Sequence, residues 1–233
     1  RFFRTAARVV VDIAARSENA LFAARLVRVL NKVLLTSSET ETLRQSLLTA
    51  AMGHAPAGNG LQQMGGSGDA LSIPRRTYGI LIDLLRAWYY CPVSTLALSL
   101  WLHWFEFAAD VAVWISSMTP VEEEKFEQQL SDLVELFESP IYMHVRLQLL
   151  DSACKPALLR AVLAVAALLP PKPRQLLQTR LHLVEIGLLL GRLPKTSVLK
   201  PAEKRPGQEM LLERFDAVVQ AHGWVESARE RVW

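Results

Sequence analysis

The sequence is short of cysteine, of long apolar runs and of net charge, and each shortage removes a class of protein. Only two of its 233 residues are cysteines, Cys91 and Cys154. They lie far apart without CxxC or Cys/His spacing, so neither a disulfide framework nor a zinc site is expected, and a reducing compartment fits. No apolar stretch reaches the ~20 residues of a membrane span. His103, Glu106 and Asp110 interrupt one, and Arg160 and Pro170-Pro171 bound another. The 26 basic and 23 acidic residues leave a formal charge of +3, too little to neutralise a nucleic-acid backbone. The small basic excess lies in the first 52 positions, where eight basic residues face Asp12, Glu18, Glu39 and Glu41, and reads as a solvated face. The chain opens on Arg1, and no charged stretch precedes a short apolar block, which reads as a fragment without a secretory leader.

Glycine is also scarce, except where Gly53, Gly58, Gly60, Gly65, Gly66 and Gly68 crowd together with Asn59, Ser67 and Asp69. Such a stretch cannot bury a core and is expected to be a flexible loop. Asn59-Gly60 would suit a hairpin, but no alternating strand flanks it.

What is present is helical punctuation and helical spacing. Pro92, Pro120, Pro140 and Pro156 each follow a small or polar residue and precede an apolar run. Proline suits the first helical turn, where its missing N–H has no partner to lose, and it pushes the residue before it out of the α region. Thr119 before Pro120, with Glu122 and Glu123 after it, adds a cap and dipole-opposing carboxylates. Phe126, Leu130, Leu133, Val134 and Phe137 share one helical face, as do Ile141, Val145 and Leu149. The same pattern places Leu26, Val29, Leu30 and Val33 inward, with Arg25, Arg28 and Lys32 between them. About nine to eleven helices and no strand are predicted. Helix pairs of roughly 36 to 48 residues match the ~40 to 47 residue period of HEAT or armadillo repeats, so the predicted fold is an all-α solenoid of HEAT/armadillo-like antiparallel helix pairs. Its expected parts are helical repeats over 1–52, the glycine-rich loop over 53–72, a helical scaffold domain over 73–190, a linker over 191–207, and a terminal helix and tail over 208–233, with the helix around Glu209 to Ala221.

Catalytic signals are weak. Cys154 and Arg160 have the Cys-x5-Arg spacing of cysteine phosphatases, but no glycine curls the backbone between them, Pro156 removes a donor, and Ala157 to Val165 continue as an apolar helix. His54, His103, His144, His182 and His222 are dispersed, and the glycine stretch lacks the flanking strand and Gly-Lys-Ser/Thr ending of a phosphate loop. No catalytic, metal or cofactor site is therefore expected.

Aromatic residues give the strongest signal: Trp88, Tyr89, Tyr90, Trp101, Trp104, Phe105 and Phe107 fall within twenty residues, with Trp114 following. On one continuous helix Trp101, Trp104, Phe105, Ala108, Val111 and Ile115 share a face beside a second stripe of Leu100, Phe107 and Trp114. That arc exceeds a one-sided contact. Core packing competes with a protein-facing surface, and Trp88, Tyr89, Tyr90, Trp101, Trp104, Phe107 and Trp114 are the candidate partner or oligomer residues. Pro92, Pro140, Arg146 and Gln148 are read as structural anchors, with a buried carboxylate expected opposite Arg146.

Four motifs in order carry a resemblance: Arg28 to Glu39 (RVLNKVLLTSSE), Leu85 to Val93 (LRAWYYCPV), Leu136 to Ile141 (LFESPI) with Val145 to Asp151 (VRLQLLD), and Leu168 to Pro171 (LLPP). Together, over roughly residues 20 to 190, they resemble the C-terminal domain of the vacuolar morphology scaffold, the Vac-fourteen family. The resemblance implies a helical-repeat scaffold without catalysis of its own. It further implies that the family joins the phosphatidylinositol 3-phosphate 5-kinase, which makes phosphatidylinositol 3,5-bisphosphate, to the Sac-type phosphoinositide phosphatase that removes the 5-phosphate. The C-terminal part would dock the phosphatase and self-associate into a ring-like homo-oligomer, a pentamer among the numbers allowed. Endosomal, vacuolar or lysosomal membrane contact would be peripheral, through partners. The alternative from another class is an autonomous membrane-lipid adaptor using the basic N-terminal helices.

Overall fold

The computed structural model describes residues 2–15, 19–53, 72–116, 123–150, 156–183 and 210–218. Among them the chain is all-α, of the solenoid class, with no strand. The helices are α1 (Phe2–Ala14), α2 (Ala20–Thr36), α3 (Glu41–Gly53), α4 (Ser72–Trp88), α5 (Pro92–Trp101), α6 (Phe105–Ser116), α7 (Glu123–Glu138), α8 (Met143–Leu150), α9 (Pro156–Leu168) and α10 (Pro171–Leu183). Residues 210–218 form a further helix, within the expected terminal segment. Short 3-10 turns at Ser38–Thr40 and Pro140–Tyr142 lead into α3 and α8. Pro92 and Pro156 start helices, as the spacing predicts, and Pro140 starts the 3-10 turn, with Ser139 extended before it (φ −67°, ψ 159°). Pro120, residues 54–71 of the glycine-rich stretch and the linker over 191–207 lie outside the described residues; Gly53 and Ser72 are helical ends.

The chain divides into two compact units, one of residues 1–98 with 205–233 and one of residues 99–204. In the first, α1 packs on α2 and α4, and α3 packs on α4. Phe3, Ala7, Val10 and Ala14 recur at helical spacing and form the buried stripe of α1. Beside that stripe Arg4 Nε donates to Asp83 Oδ2 of α4 at 2.7 Å, with Arg8 Nη2 at 3.3 Å from the same oxygen. The sequence expectation for α2 needs correcting: Val29 and Val33 face outward, and the buried face is Ala20, Ala23, Val27, Leu30, Asn31, Leu34 and Leu35. α2 carries two apolar stripes, and the one with the alanines is seated.

In the second unit α6 and α9 make the most extensive helix contact. Small residues on both, Ala108, Ala109 and Ala112 against Ala161 and Ala166, are buried and let the two backbones approach closely. Arg160 of α9 donates to Asp110 Oδ1 of α6 at 2.7 Å, both side chains being about four-fifths buried. A small hollow bordered by Leu100, Leu133, Phe137, Val162 and Leu177 has only apolar walls.

Candidate functional site

The continuous helix assumed for the aromatic segment is broken. α5 ends at Trp101, and His103 takes the left-handed conformation (φ 62°). The Trp104 N–H donates to the Ser99 carbonyl (3.0 Å) and the His103 N–H to the Leu100 carbonyl (3.2 Å). This is a Schellman ending with histidine where glycine is usual. The histidine is compensated through its ring, which stacks on Phe105 (5.4 Å between centroids) and on His144 (4.9 Å) and accepts from Gln148 Nε2 at 3.2 Å. His144 Nε2 in turn donates to the Trp101 carbonyl at 3.2 Å. Gln148 thus fastens α8 to the break between α5 and α6.

Most of the candidate rings point inward. Trp88, Tyr89, Trp101, Trp104 and Phe107 are buried, as core packing requires; Tyr90 and Trp114 remain half-exposed. Trp88 is held across the first unit by its Nε1, which donates to Asn31 Oδ1 at 2.9 Å. The Tyr89 ring meets Phe215 of the 210–218 helix edge-on, at 5.7 Å between centroids. Its hydroxyl has no hydrogen-bond partner among the described residues, and burial pushes its pKa well up. Trp101 meets His144 edge-on and Trp104 meets Phe107 in the same way. Pro92 opens α5 above a buried polar knot: Thr95 Oγ1 donates to the Trp88 carbonyl at 2.6 Å, and Ser94 Oγ donates to Cys91 Sγ at 3.0 Å. Burial raises the Cys91 thiol pKa and keeps the group neutral.

Arg146 binds main chain first, and the carboxylate expected opposite it stands second. Its guanidinium donates to the Glu138 carbonyl at 2.7 Å and the Ser139 carbonyl at 3.1 Å. The Glu138 carboxylate stands farther, at 3.4 Å, with 29% and 22% of the two side chains exposed. Such donors satisfy carbonyls that a helix end leaves without partners. Two arginines not singled out from sequence do the same. Arg44 Nη1 donates to the carbonyls of Leu34 (3.0 Å) and Ser37 (2.7 Å) at the end of α2. Arg174 donates to Leu169 (3.1 Å) and Ala167 (3.0 Å) at the end of α9. The same spacing recurs: Ser37 and Arg44, like Ser139 and Arg146, are seven residues apart, with a 3-10 turn between them.

Of the Cys-x5-Arg motif, the described residues begin at Pro156. Arg160 is taken up by Asp110, and α9 runs as continuous helix from Pro156. Cys154 lies outside the described residues. Among those residues no three His, Cys, Asp or Glu side chains assemble a metal site, and no helix is long and apolar enough to cross a membrane.

What this geometry offers is helix faces, and comparison with known proteins agrees. Residues 1–184 match the family described as Vacuolar protein 14 C-terminal Fig4p binding. A protein named Protein VAC14 homolog from Arabidopsis thaliana is 30% identical over 172 residues, 72% of this chain and 20% of its own length. The Schizosaccharomyces pombe protein of the same name is 27% identical over 213 residues, 88% of this chain and 22% of its own. The chain therefore spans about a fifth of the length of these relatives. No solved structure matches it. With the four sequence motifs, the helical repeats and a match over most of its length in agreement, this chain belongs to the Vac14 C-terminal family.

Proposed function

We propose that the chain is a non-catalytic scaffold that docks a Sac-type phosphoinositide phosphatase, the Fig4p of the family description. The match over residues 1–184 carries this reading. The fold is compatible with it: among the described residues Arg44, Arg146 and Arg160 are spent on helix ends and helix contacts. In the same reading the assembly includes the phosphatidylinositol 3-phosphate 5-kinase, governs phosphatidylinositol 3,5-bisphosphate on endosomal or vacuolar membranes, and holds several copies of the chain in a ring. A head-to-tail contact between identical chains closes into such a ring when the rotation permits.

The half-exposed Tyr90 and Trp114, one in each unit, are the candidate contact rings. Interface tryptophans commonly cost ~2 kcal/mol or more when truncated, about thirtyfold in affinity. Co-expression of the chain with Fig4p followed by affinity capture should recover both proteins in fixed proportion, and Trp114→Ala should weaken capture about thirtyfold if that ring lies in the contact. Wild-type chain that captures no phosphatase overturns the reading. Light scattering tests the ring separately: a monomer at tens of micromolar removes self-association and leaves phosphatase docking standing.

A further inference from the structure

We propose that the outward face of α2 docks on an anionic lipid bilayer. α2 carries no acidic residue, and its seated face is fully accounted for by Ala20, Ala23, Val27, Leu30, Asn31, Leu34 and Leu35. On the opposite side Phe22, Val29 and Val33 are 57%, 59% and 41% exposed. Water makes such exposure costly, and a contiguous apolar stripe on a soluble surface marks a contact. Arg25, Arg28 and Lys32 are exposed on the same side. At about 100° of rotation per residue the three cations form one stripe and the three apolar residues another, roughly a quarter-turn apart, along ~16 Å of helix.

A plane laid along this side of α2 touches both stripes at once. Against a bilayer the apolar side chains reach the acyl boundary, while the long basic side chains rise to the phosphates. An acidic protein helix fits less well, because it would need apolar and acidic stripes in matching register. The bilayer surface presents both chemistries everywhere, at different depths, so no register is required. Each cation near an anionic surface contributes about fivefold in partition, so Arg25 and Lys32 together give about twenty-five-fold over neutral lipid. This is a weak and reversible contact, which adds to recruitment through partners and does not depend on the scaffold reading.

The test is co-sedimentation of the whole chain with phosphatidylcholine vesicles, with and without about 30 mol % phosphatidylserine, in low salt. Binding should appear with the anionic vesicles and be about twenty-five-fold weaker with neutral ones. Arg25→Glu with Lys32→Glu should weaken it at least twenty-five-fold, and Arg25→Lys should leave it unchanged. Phe22→Ser with Val29→Ser should weaken it several-fold with no change in charge, circular dichroism confirming that each variant folds. Wild-type chain that ignores anionic vesicles, or charge-reversed chain that binds them as well as wild type, overturns the proposal. A serine variant that binds undiminished overturns the apolar half. Retention of the chain on immobilised polyglutamate without vesicle binding assigns the face to an acidic protein and overturns the membrane.

Discussion

At the scale of single residues, Arg146 matters because it satisfies two carbonyls at once. Hydrogen bonds from a charged donor are worth about 1.5 to 3 kcal/mol each, less where water competes, so Arg146→Ala should cost about 2 kcal/mol in a urea melt. Arg44→Ala should cost a similar amount. Arg146→Lys keeps the charge but loses the fork and should recover only part of it. A loss below about 0.5 kcal/mol shows that water replaces the guanidinium without penalty. As a polar residue in the apolar run Val145 to Leu150, Arg146 was visible in the sequence. Its partners were not, because main-chain oxygens leave no mark in a residue string. Tyr89 gives the opposite case: its buried hydroxyl has no partner among the described residues, so Tyr89→Phe removes a desolvated group and should raise stability by about 1 kcal/mol.

At the scale of elements, proline could be read directly and the end of α5 could not. Pro92 and Pro156 restrict the chain wherever they stand, so their helix starts follow from local stereochemistry. The stop at His103 depends on tertiary support from Phe105, His144 and Gln148 for a conformation that glycine would adopt unaided. Replacing His103 by Ala or by Gly removes the ring in both, and only alanine keeps the left-handed strain. His103→Gly should therefore be about 1 kcal/mol more stable than His103→Ala. Equal denaturation midpoints and slopes for the two variants would place that residue outside the left-handed region. α2 was ambiguous for a different reason. Phe22, Leu26, Val29 and Val33 make as good an apolar stripe as Val27, Leu30 and Leu34, and periodicity alone does not say which is seated. The segment between α3 and α4 is read from composition only. Closing a shorter loop changes the entropy slowly, so deleting residues 58–67 should alter stability by under about 1 kcal/mol, with unfolding still cooperative.

At the scale of the whole molecule, the helical class was legible because 3.6-residue spacing recurs from α1 to α10. Division into units was not. The conspicuous glycine-rich stretch separates α3 from α4, which pack together in one unit, while the division falls inside α5, an apolar helix with no mark in composition. Both units carry buried acids that stay neutral: burial raises the pKa values of Tyr89 and Cys91 in the first and Tyr142 in the second above their ordinary 10.0, 9.0 and 10.0. The unfolded chain releases these protons first, so it binds fewer protons than the folded chain above pH 9 to 10. Their contribution is therefore full below those values and lost as pH climbs through the raised ones. Each group removes about 1.4 kcal/mol per pH unit. Unfolding free energies measured between pH 8 and 11 should bend downward from about pH 9 to 10, and Tyr89→Phe should flatten the fall. A profile level to pH 11 would mean that these groups ionise without unfolding.

The arginines at the helix ends also bear on how such a chain can drift in evolution. A side-chain pair ties two positions together, so that one can change only if the other follows. Arg44 and Arg146 grip chiefly oxygens that every residue possesses, with one side-chain contact each, to Thr40 and to Glu138. The turns they secure can exchange most letters, as Thr36-Ser37-Ser38 and Glu138-Ser139-Pro140 differ on either side of a shared serine, while the bend stays the same. Between distant relatives such a joint would survive as a solitary basic letter in a stretch of unrelated text.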